Sequence, residues 1–418
     1  MHYRRGLPQR PARGLFPRLA LFLISLGLLA LPAQARTLGF DEALRAALAD
    51  NPELAAAGRA SGIAEGERRQ AGLLPNPSLS WETEDTRRDS ATTTLSLTQP
   101  LELGGKRGAR VAVAERGLAI AEAELEVSRN ALRADLLEAF QAALRAQERV
   151  RLGEESEALA TRGLKAAEAR VRAGKSAPLE ATRAEVQLSE VGLELRRARI
   201  ERADAYRALA VLMGRAEADF TEVAGAAELP APPEATALLG RLEDSAELRL
   251  ARLRIEQRDA AVGLARAQRV PNLDVTLGSQ YDREARERVN VVGLSMPLPL
   301  FDRNQGTLLA EARRADQARD LRNAAELRLR RETRQALDLW DSARDEAQTL
   351  RDGLLPAARQ AVDGATRGFE MGKFGFLEVL DAQRTLLAAR DRYLQALARL
   401  AEARARYERI FGDLTAAR

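Results

Sequence analysis

The chain has almost none of the side chains on which enzyme and metal sites most often depend. Its 418 residues contain no cysteine and a single histidine, His2. Without cysteine, the chain has no disulfide bond, no thiolate metal site and no lipid-modified cysteine. Histidine is the commonest general base and cysteine the usual thiol nucleophile, so their scarcity argues against catalysis. We expect no enzymatic activity, no resident metal ion and no cofactor.

Aromatic residues and long apolar runs are scarce as well. Aromatic residues make up 4% of the chain and charged residues 30%, while alanine, leucine, arginine and glutamate dominate. This composition is typical of long helices and coiled coils, and it argues against compact globular domains. One apolar run stands out, at residues 19–31. It is shorter than the ~18 residues that a membrane-crossing helix needs.

The beginning of the chain has the features of an export signal. Five arginines precede the apolar run, and Ala33-Gln34-Ala35 after it has the small residues of a cleavage site. We therefore predict a cleaved signal at residues 1–35, with an uncleaved anchor as the alternative. Its arginines account for the basic balance, because removing them lowers the formal net charge from +4 to −1. Nothing in that charge predicts binding to nucleic acid.

The remainder of the chain is a tandem duplication. Five landmarks recur in the same order in both halves, at offsets of 194 to 198 residues. The pairs are Asn51-Pro52 with Ser245-Ala246, Leu74-Pro75 with Val270-Pro271, Gln99-Pro100 with Met296-Pro297, Gly174-Lys175 with Gly372-Lys373, and Met213-Gly214 with Phe411-Gly412. The pattern predicts one supersecondary unit at 36–214 and a second at 241–418, joined by a linker at 215–240.

Each unit contains two segments of alternating polarity, which predict strands. They lie at about 78–86 and 91–99 in the first unit and at about 272–282 and 289–296 in the second. Strands of this length, with one apolar and one polar face, can cross a bilayer when tilted. A sheet packed on helices is the alternative. Four strands cannot close a barrel alone, so a membrane location requires several chains to share one barrel.

Long helices follow the strands. Residues 106–172 contain no proline, Gly174 ends the helix, and Pro178 suits the first turn of a return helix. We predict helical hairpins at 106–213 and, in the second unit, at 305–411. Pro356 should kink the second long helix near its middle. The hairpins fit either a closed palisade of helices or an ordinary dimeric coiled coil.

This order of elements, duplicated in tandem, resembles the TolC family of outer-membrane efflux proteins over essentially all of the chain after the signal. The segment Gln99 to Arg107 (QPLELGGKR) is similar to the branch that serves cobalt-zinc-cadmium efflux. The resemblance implies a mainly helical fold with a small barrel part. It implies a homotrimer in the outer membrane, with four strands per chain in a shared twelve-stranded barrel that continues into a helical tunnel across the periplasm.

The resemblance also implies a function. The chain would be a passive duct that receives substrate from a periplasmic adaptor protein and an inner-membrane pump of the RND type. Heavy-metal cations are the expected substrate, and export of organic compounds or of proteins is the alternative. From the residues alone, an exported coiled-coil structural protein also stays open.

Site residues come from the same resemblance. It implies that the adaptor docks on two glycine turns, which contain Gly174, Lys175, Ser176, Gly372 and Lys373. It implies a channel gate formed by Glu378, Asp381 and Phe369, with Phe369 tying neighbouring coils shut. Phe374 stands where some members of the family carry an arginine.

The two gate carboxylates can also be argued from their spacing. Glu378 and Asp381 are three residues apart, so they share one helix face. A trimer would place six carboxylates around its axis, which would attract cations and repel anions. The alternative is an ordinary solvated acidic face that Arg384 partly balances.

Overall fold

The computed structural model describes residues 36–85, 87, 89–225 and 229–412. The expected signal at 1–35 and the end of the second unit lie outside the described residues. The helices are α1 (Phe40–Asp50), α2 (Pro52–Ala71), α3 (Lys106–Arg172), α4 (Pro178–Leu212), α5 (Ala235–Gly240), α6 (Ala246–Ala267), α7 (Gln305–Thr349), α8 (Leu355–Glu370) and α9 (Phe376–Phe411). The strands are β1 (Thr37–Gly39), β2 (Ser78–Glu84), β3 (Thr92–Leu101), β4 (Glu222–Ala224), β5 (Leu273–Asp282) and β6 (Glu287–Ser295).

Four strands form an antiparallel sheet in the order β2-β3-β5-β6. The central pair, β3 with β5, joins the two units. Leu79 faces Leu97, Leu97 faces Leu277 and Leu277 faces Val292, so one apolar row crosses all four strands. All four side chains are exposed, by 46% to 73%. The apolar face is therefore uncovered in the single chain.

The opposite face of the sheet is polar. The hydroxyl oxygens of Ser80 and Ser96 lie 2.7 Å apart, and those of Thr98 and Thr276 lie 2.8 Å apart. These cross-strand hydrogen bonds pair the hydroxyl groups of this face, while the other face carries the apolar side chains. The two-residue period thus separates polar from apolar side chains in β2, β3 and β5, while β6 adds Val289 and Val291 to the polar face.

Several strand boundaries differ by one or two residues from those expected, and two of the differences have a visible cause. β2 ends at Glu84, because Asp85 has a φ of 55° and cannot continue an extended strand. The second connection is two residues shorter than the predicted strands leave, since β5 ends at Asp282 as expected but β6 already begins at Glu287. The Asp282 carboxylate accepts hydrogen bonds from the N–H groups of Glu284 and Ala285, and this closes a tight turn.

The caps of the first two helices differ from each other. Asn51 caps α2, because its side-chain oxygen accepts the Leu54 N–H at 2.9 Å. In α1 the cap position is Gly39, which has no side chain to cap the helix, and Asp41 lies inside the first turn. β1 ends at Gly39 and runs directly into this helix. The Asp41 carboxylate still lies where negative charge favours a helix N-terminus.

The two long rods differ in continuity. α3 is one uninterrupted helix of 67 residues. The second rod consists of α7 and α8, separated by a π turn at Leu350–Leu354 in which the Leu355 N–H bonds to the Leu350 carbonyl. Pro356 follows this turn and has no N–H to donate, so the wider turn accommodates the interruption.

The segment between the units packs against the rods. β4 pairs in parallel with β1, a contact that three-residue strands are too short to reveal in a sequence. Val223 and Phe220 are buried in one cluster with Phe140 of α3. Further along, the Trp340 indole N–H donates to the Pro230 carbonyl at 2.9 Å. The segment is thus a side structure that braces both rods.

Among the helices of the described residues, none combines the length and the apolar character that crossing a lipid bilayer requires.

Candidate docking and gating site

The first glycine turn closes the end of α3. Gly174 has a φ of 66°, in the left-handed region where a side chain is disfavoured. The Lys175 N–H bonds to the Arg170 carbonyl at 2.9 Å, and the Gly174 N–H bonds to the Val171 carbonyl at 3.0 Å. This pair of bonds is a Schellman motif. It satisfies the last carbonyls of the helix and reverses the chain toward α4.

The second turn, between α8 and α9, repeats this geometry. Gly372 has a φ of 76°. The Lys373 N–H bonds to the Gly368 carbonyl at 2.8 Å, and the Gly372 N–H bonds to the Phe369 carbonyl at 2.9 Å. Gly368 carries no side chain because a Cβ there would lie 2.1 Å from the Phe374 ring. The duplicated sequence therefore produces duplicated turns.

Both turns expose a mixture of basic and apolar groups. Lys175 and Lys373 are exposed. The large apolar side chains exposed near them are Leu179 (55%), Met371 (64%), Phe374 (49%) and Leu377 (60%). Ser176 is partly buried, and its hydroxyl accepts a hydrogen bond from Arg170 Nε at 3.1 Å. Exposed apolar groups with cationic neighbours can contact another protein.

Phe369 lies in a core that joins the two hairpins of the chain. Its side chain is 2% exposed, and its ring centroid lies 5.5 Å from that of Phe376. The Arg170 guanidinium lies 4.8 Å from the Phe369 ring centroid. The same cluster contains Ala167, Ala184, Val379 and Leu380. Phe369 therefore packs between helices of both units within one chain.

Glu378 and Asp381 occupy the exposed side of α9, while Val379 and Leu380 between them are buried. Glu378 Oε2 lies 2.9 Å from the point that a Cβ on Gly375 would occupy, so this carboxylate bends back over the turn. Both acidic groups thus stand at the end of the molecule that carries the two turns.

Two arginines that the sequence did not single out link the hairpins. Arg170 is one of them. Arg390, 9% exposed, donates to Glu155 Oε2 at 2.9 Å and joins α9 to α3. Burial lowers the pKa of Arg390, and the nearby Glu155 carboxylate opposes this change. A cleft of about 1160 Å³ lies beside this pair, between α3, α4, α8 and α9. Arginines are so frequent in the chain that spacing alone could not distinguish these two.

The segment Gln99 to Arg107 forms the junction between sheet and rod. The Gln99 amide donates to the Pro75 carbonyl at 3.0 Å, and Lys106 bonds to the Asn272 side chain of the other unit. Glu102 pairs with Arg110 at 2.6 Å. The Arg110 hydrogen bond lowers the pKa of Glu102. The motif thus sets the angle at which α3 leaves the sheet.

Within the described ranges, no group of three or more histidine, cysteine, aspartate or glutamate side chains is placed to hold a metal ion.

Comparison with known families matches the chain to the family described as "Outer membrane efflux protein", at residues 43–215 and 241–413. The chain belongs to this family. The two matches correspond to the two units of the duplication. The family is one of transport ducts in the outer membrane of Gram-negative bacteria, so the predicted location and class of function are confirmed.

Among curated proteins, the chain is 41% identical over 379 residues to the cobalt-zinc-cadmium resistance protein CzcC of Cupriavidus metallidurans. This alignment covers 90% of the chain and 91% of CzcC. The chain is also 35% identical over 228 residues to the nickel-cobalt-cadmium resistance protein NccC of Alcaligenes xylosoxydans xylosoxydans, covering 54% of the chain and 52% of NccC.

Among solved structures, the outer-membrane channel OprN superposes with a TM-score of 0.75 at 21% identity, over 90% of each chain. The channel CusC superposes with the same TM-score at 19% identity, over 90% of this chain and 92% of CusC. At these identities the likeness concerns the fold. It confirms the predicted TolC-like architecture.

Proposed function

We propose that this protein is the outer-membrane duct of a tripartite system that exports heavy-metal cations. The observation that carries the proposal is the 41% identity to a cobalt-zinc-cadmium resistance protein across 90% of the chain. The duct works passively, and a periplasmic adaptor and an RND-type pump in the inner membrane deliver the cations and supply the energy. The protein itself has no enzymatic activity.

Three chains form the working channel. Each contributes its four-stranded sheet to a twelve-stranded barrel, in which β6 of one chain pairs with β2 of the next. The exposed apolar row Leu79, Leu97, Leu277 and Val292 supports this arrangement, because lipid would cover that face. Closure of the barrel would also satisfy the two free edges of the sheet.

The periplasmic end of the duct is the end with the two glycine turns. Gly174, Lys175 and Ser176 in the first turn, and Gly372 and Lys373 in the second, form the docking surface for the adaptor. Glu378, Asp381 and Phe369 form the gate: the two carboxylates line the entrance, and Phe369 holds the hairpins together behind them.

Deletion of the gene tests the choice of substrate. We expect increased sensitivity to zinc, cobalt and cadmium, with restoration by a plasmid copy. Unchanged metal tolerance together with new sensitivity to organic compounds would show that the substrates are organic compounds and not metal cations.

A matched pair of variants tests the barrel. Leu79 and Ser80 are neighbours on opposite faces of β2, and both are exposed. Leu79→Asp places a charge on the proposed lipid face, where charged side chains destabilise a transmembrane barrel, and we expect less trimer in the outer membrane. Ser80→Asp places the same charge on the polar face, and we expect normal assembly and conductance. Equal behaviour of the two variants would contradict the barrel, as would a monomer without conductance.

A further inference from the structure

Arg170 lies in the last turn of α3, and its side chain contacts residues of both glycine turns. Its Nε donates to the Ser176 hydroxyl at 3.1 Å, within the first turn. Its Nη1 donates to the Phe369 carbonyl at 2.7 Å, at the beginning of the second. One guanidinium therefore bridges segments that are 199 residues apart in the chain.

The acceptor in the second turn is part of that turn's own closure. The Phe369 carbonyl also accepts the Gly372 N–H at 2.9 Å, one of the two bonds of the second Schellman motif. In the first turn, the Arg170 carbonyl accepts the Lys175 N–H at 2.9 Å. Arg170 thus takes part in closing the first turn through its backbone and in holding the second through its side chain.

The surroundings of the guanidinium leave it little freedom. Its central carbon lies over the Phe369 ring, 4.8 Å from the ring centroid, which adds a cation–π attraction. A Cβ on Gly372 would lie 3.4 Å from Arg170 Nη1, so the backbone of the second turn also lies close to the guanidinium. A lysine could not reproduce this arrangement, because an ammonium is a point charge without a planar fork or a stacking face.

Other ionic links between the hairpins lie far from the turns. The pair Glu155–Arg390 joins α3 to α9 fifteen residues earlier along α3, roughly 22 Å away at 1.5 Å per residue. At the turns themselves, the apolar cluster around Phe369 holds the helices together but does not orient the loops. The directional contacts between the loops come from Arg170.

We propose that Arg170 is a positioning residue that clamps the two turns of one chain into a single docking surface. An adaptor that contacts both turns would meet them at a fixed separation, and it would not have to order them on binding. This inference rests on the proposed docking role of the turns, but the clamp itself can be measured without an adaptor.

The first experiment measures the separation of the turns. The chain has no cysteine, so Ala177→Cys and Glu370→Cys introduce unique sites for spin labels beside the two turns. Purified protein is used, with labelled chains diluted into unlabelled ones. We expect a narrow distance distribution that becomes about twofold broader in Arg170→Met and in Arg170→Lys, since neither side chain can bridge both acceptors.

Arg172→Met is the matched control. Arg172 lies in the same last turn of α3, is exposed, and pairs with Glu168 at 3.8 Å on its own helix. This variant removes the same charge without altering a contact to either loop. Its distribution of distances between the two spin labels should therefore equal that of the unmutated chain. An unchanged distribution in Arg170→Met would overturn the clamp, as would equal broadening in Arg172→Met.

The second experiment measures coupling between the turns in adaptor binding. Lys175→Ala and Lys373→Ala are tested singly and together with the purified adaptor of the same efflux system. With Arg170 present, we expect the two losses of affinity to be non-additive, because one rigid surface presents both lysines. In Arg170→Met they should become additive, and the affinity should fall about tenfold through the lost preorganisation.

The two proposals fail in different ways. If neither lysine affects adaptor affinity, the docking role of the turns is wrong, while the spin-label distances still decide whether the clamp exists. If both lysines matter and their effects are additive with Arg170 intact, the docking role stands and the single-surface proposal is wrong.

Discussion

Arg133 of α3 and Glu408 of α9 form an ion pair at 2.9 Å, although they are 275 residues apart in the chain. The two side chains are 18% and 3% exposed. A pair so well buried loses much of its hydration, so removing one partner is costly even where the intact pair stabilises little. The pair makes the packing of the last helix on the first rod specific.

A comparison of two ion pairs on the same helices tests this role. We expect Arg133→Met to lower the free energy of unfolding by roughly 3 kcal/mol. Arg409→Met breaks the exposed pair with Asp135, whose side chains are 50% and 46% exposed, and should cost less than about 1 kcal/mol. Denaturant titration of the detergent-solubilised protein measures both. Equal losses would show that burial of the Arg133 pair is unimportant.

The gate carboxylates should control ion selectivity of the closed channel. We expect the double variant Glu378→Gln, Asp381→Asn to be less cation-selective in planar bilayers and less sensitive to block by divalent or trivalent cations from the periplasmic side, because the proposed trimer would lose six charges at its entrance. Efflux should persist, since in the proposed assembly the adaptor would open the entrance. Glu185→Gln, an exposed carboxylate on α4, is the control and should change neither property. Full cation block in the double variant would show that Glu378 and Asp381 belong to an ordinary solvated acidic surface.

The glycine turns should depend on backbone conformation. A Cβ on Gly174 would meet no atom within 4 Å, so Gly174→Val acts through its φ of 66° alone, at a cost of about 1–2 kcal/mol. We expect it to distort the turn and abolish metal tolerance while the trimer still assembles. Gly174→Asn should retain function, because asparagine tolerates this region.

A helical glycine provides the control for that experiment. Gly364 in α8 also has open space around it, and its φ is not positive. We expect Gly364→Val to leave metal tolerance unchanged. If Gly174→Val were equally harmless, the turn conformation would not matter for docking.

The junction between sheet and rod should weaken in acid. Arg110 holds the pKa of Glu102 below its ordinary value of 4.5, so the folded chain binds this proton less readily than the unfolded chain. The pair therefore stabilises the fold above pH 4.5, and the stabilisation is lost as the pH falls through the lower, folded-state value. We expect the difference in melting temperature between the unmutated chain and Glu102→Gln to shrink between pH 6 and pH 3. A difference that is constant with pH would contradict this linkage.

Glu256 supplies the matched control for Glu102. It pairs with Arg116 at 3.0 Å, and both side chains are about half exposed. We expect Glu256→Gln to alter the melting temperature little at any pH, because solvent screens the pair.

Local patterns predicted much of the fold, and long-range contacts were beyond them. The proline-free sequence from Lys106 to Arg172 forms one helix, and the alternation in the strands assigns Leu79 and Ser80 to opposite faces. The pairing of charged side chains could not be predicted from such patterns. With 30% charged residues, the sequence offers too many ion pairs for Arg133 with Glu408 to be identified. The Arg170 contacts were equally inaccessible, because they depend on how two distant hairpins dock.

The π turn before Pro356 distinguishes the second rod from the first, which is a regular α-helix throughout. From Leu337 to Leu350, the buried residues of the second rod follow at steps of three, three, four and three, and the next step, to Leu355, is five. In a regular α-helix this additional residue would rotate everything beyond it by about 100° around the helix axis, but the wider π turn takes it up, and the buried residues on both sides of it pack against α9. α3 contains no such offset. The second rod therefore keeps one face on α9 on both sides of the π turn, and the surplus residue widens the helix locally without turning the second tip.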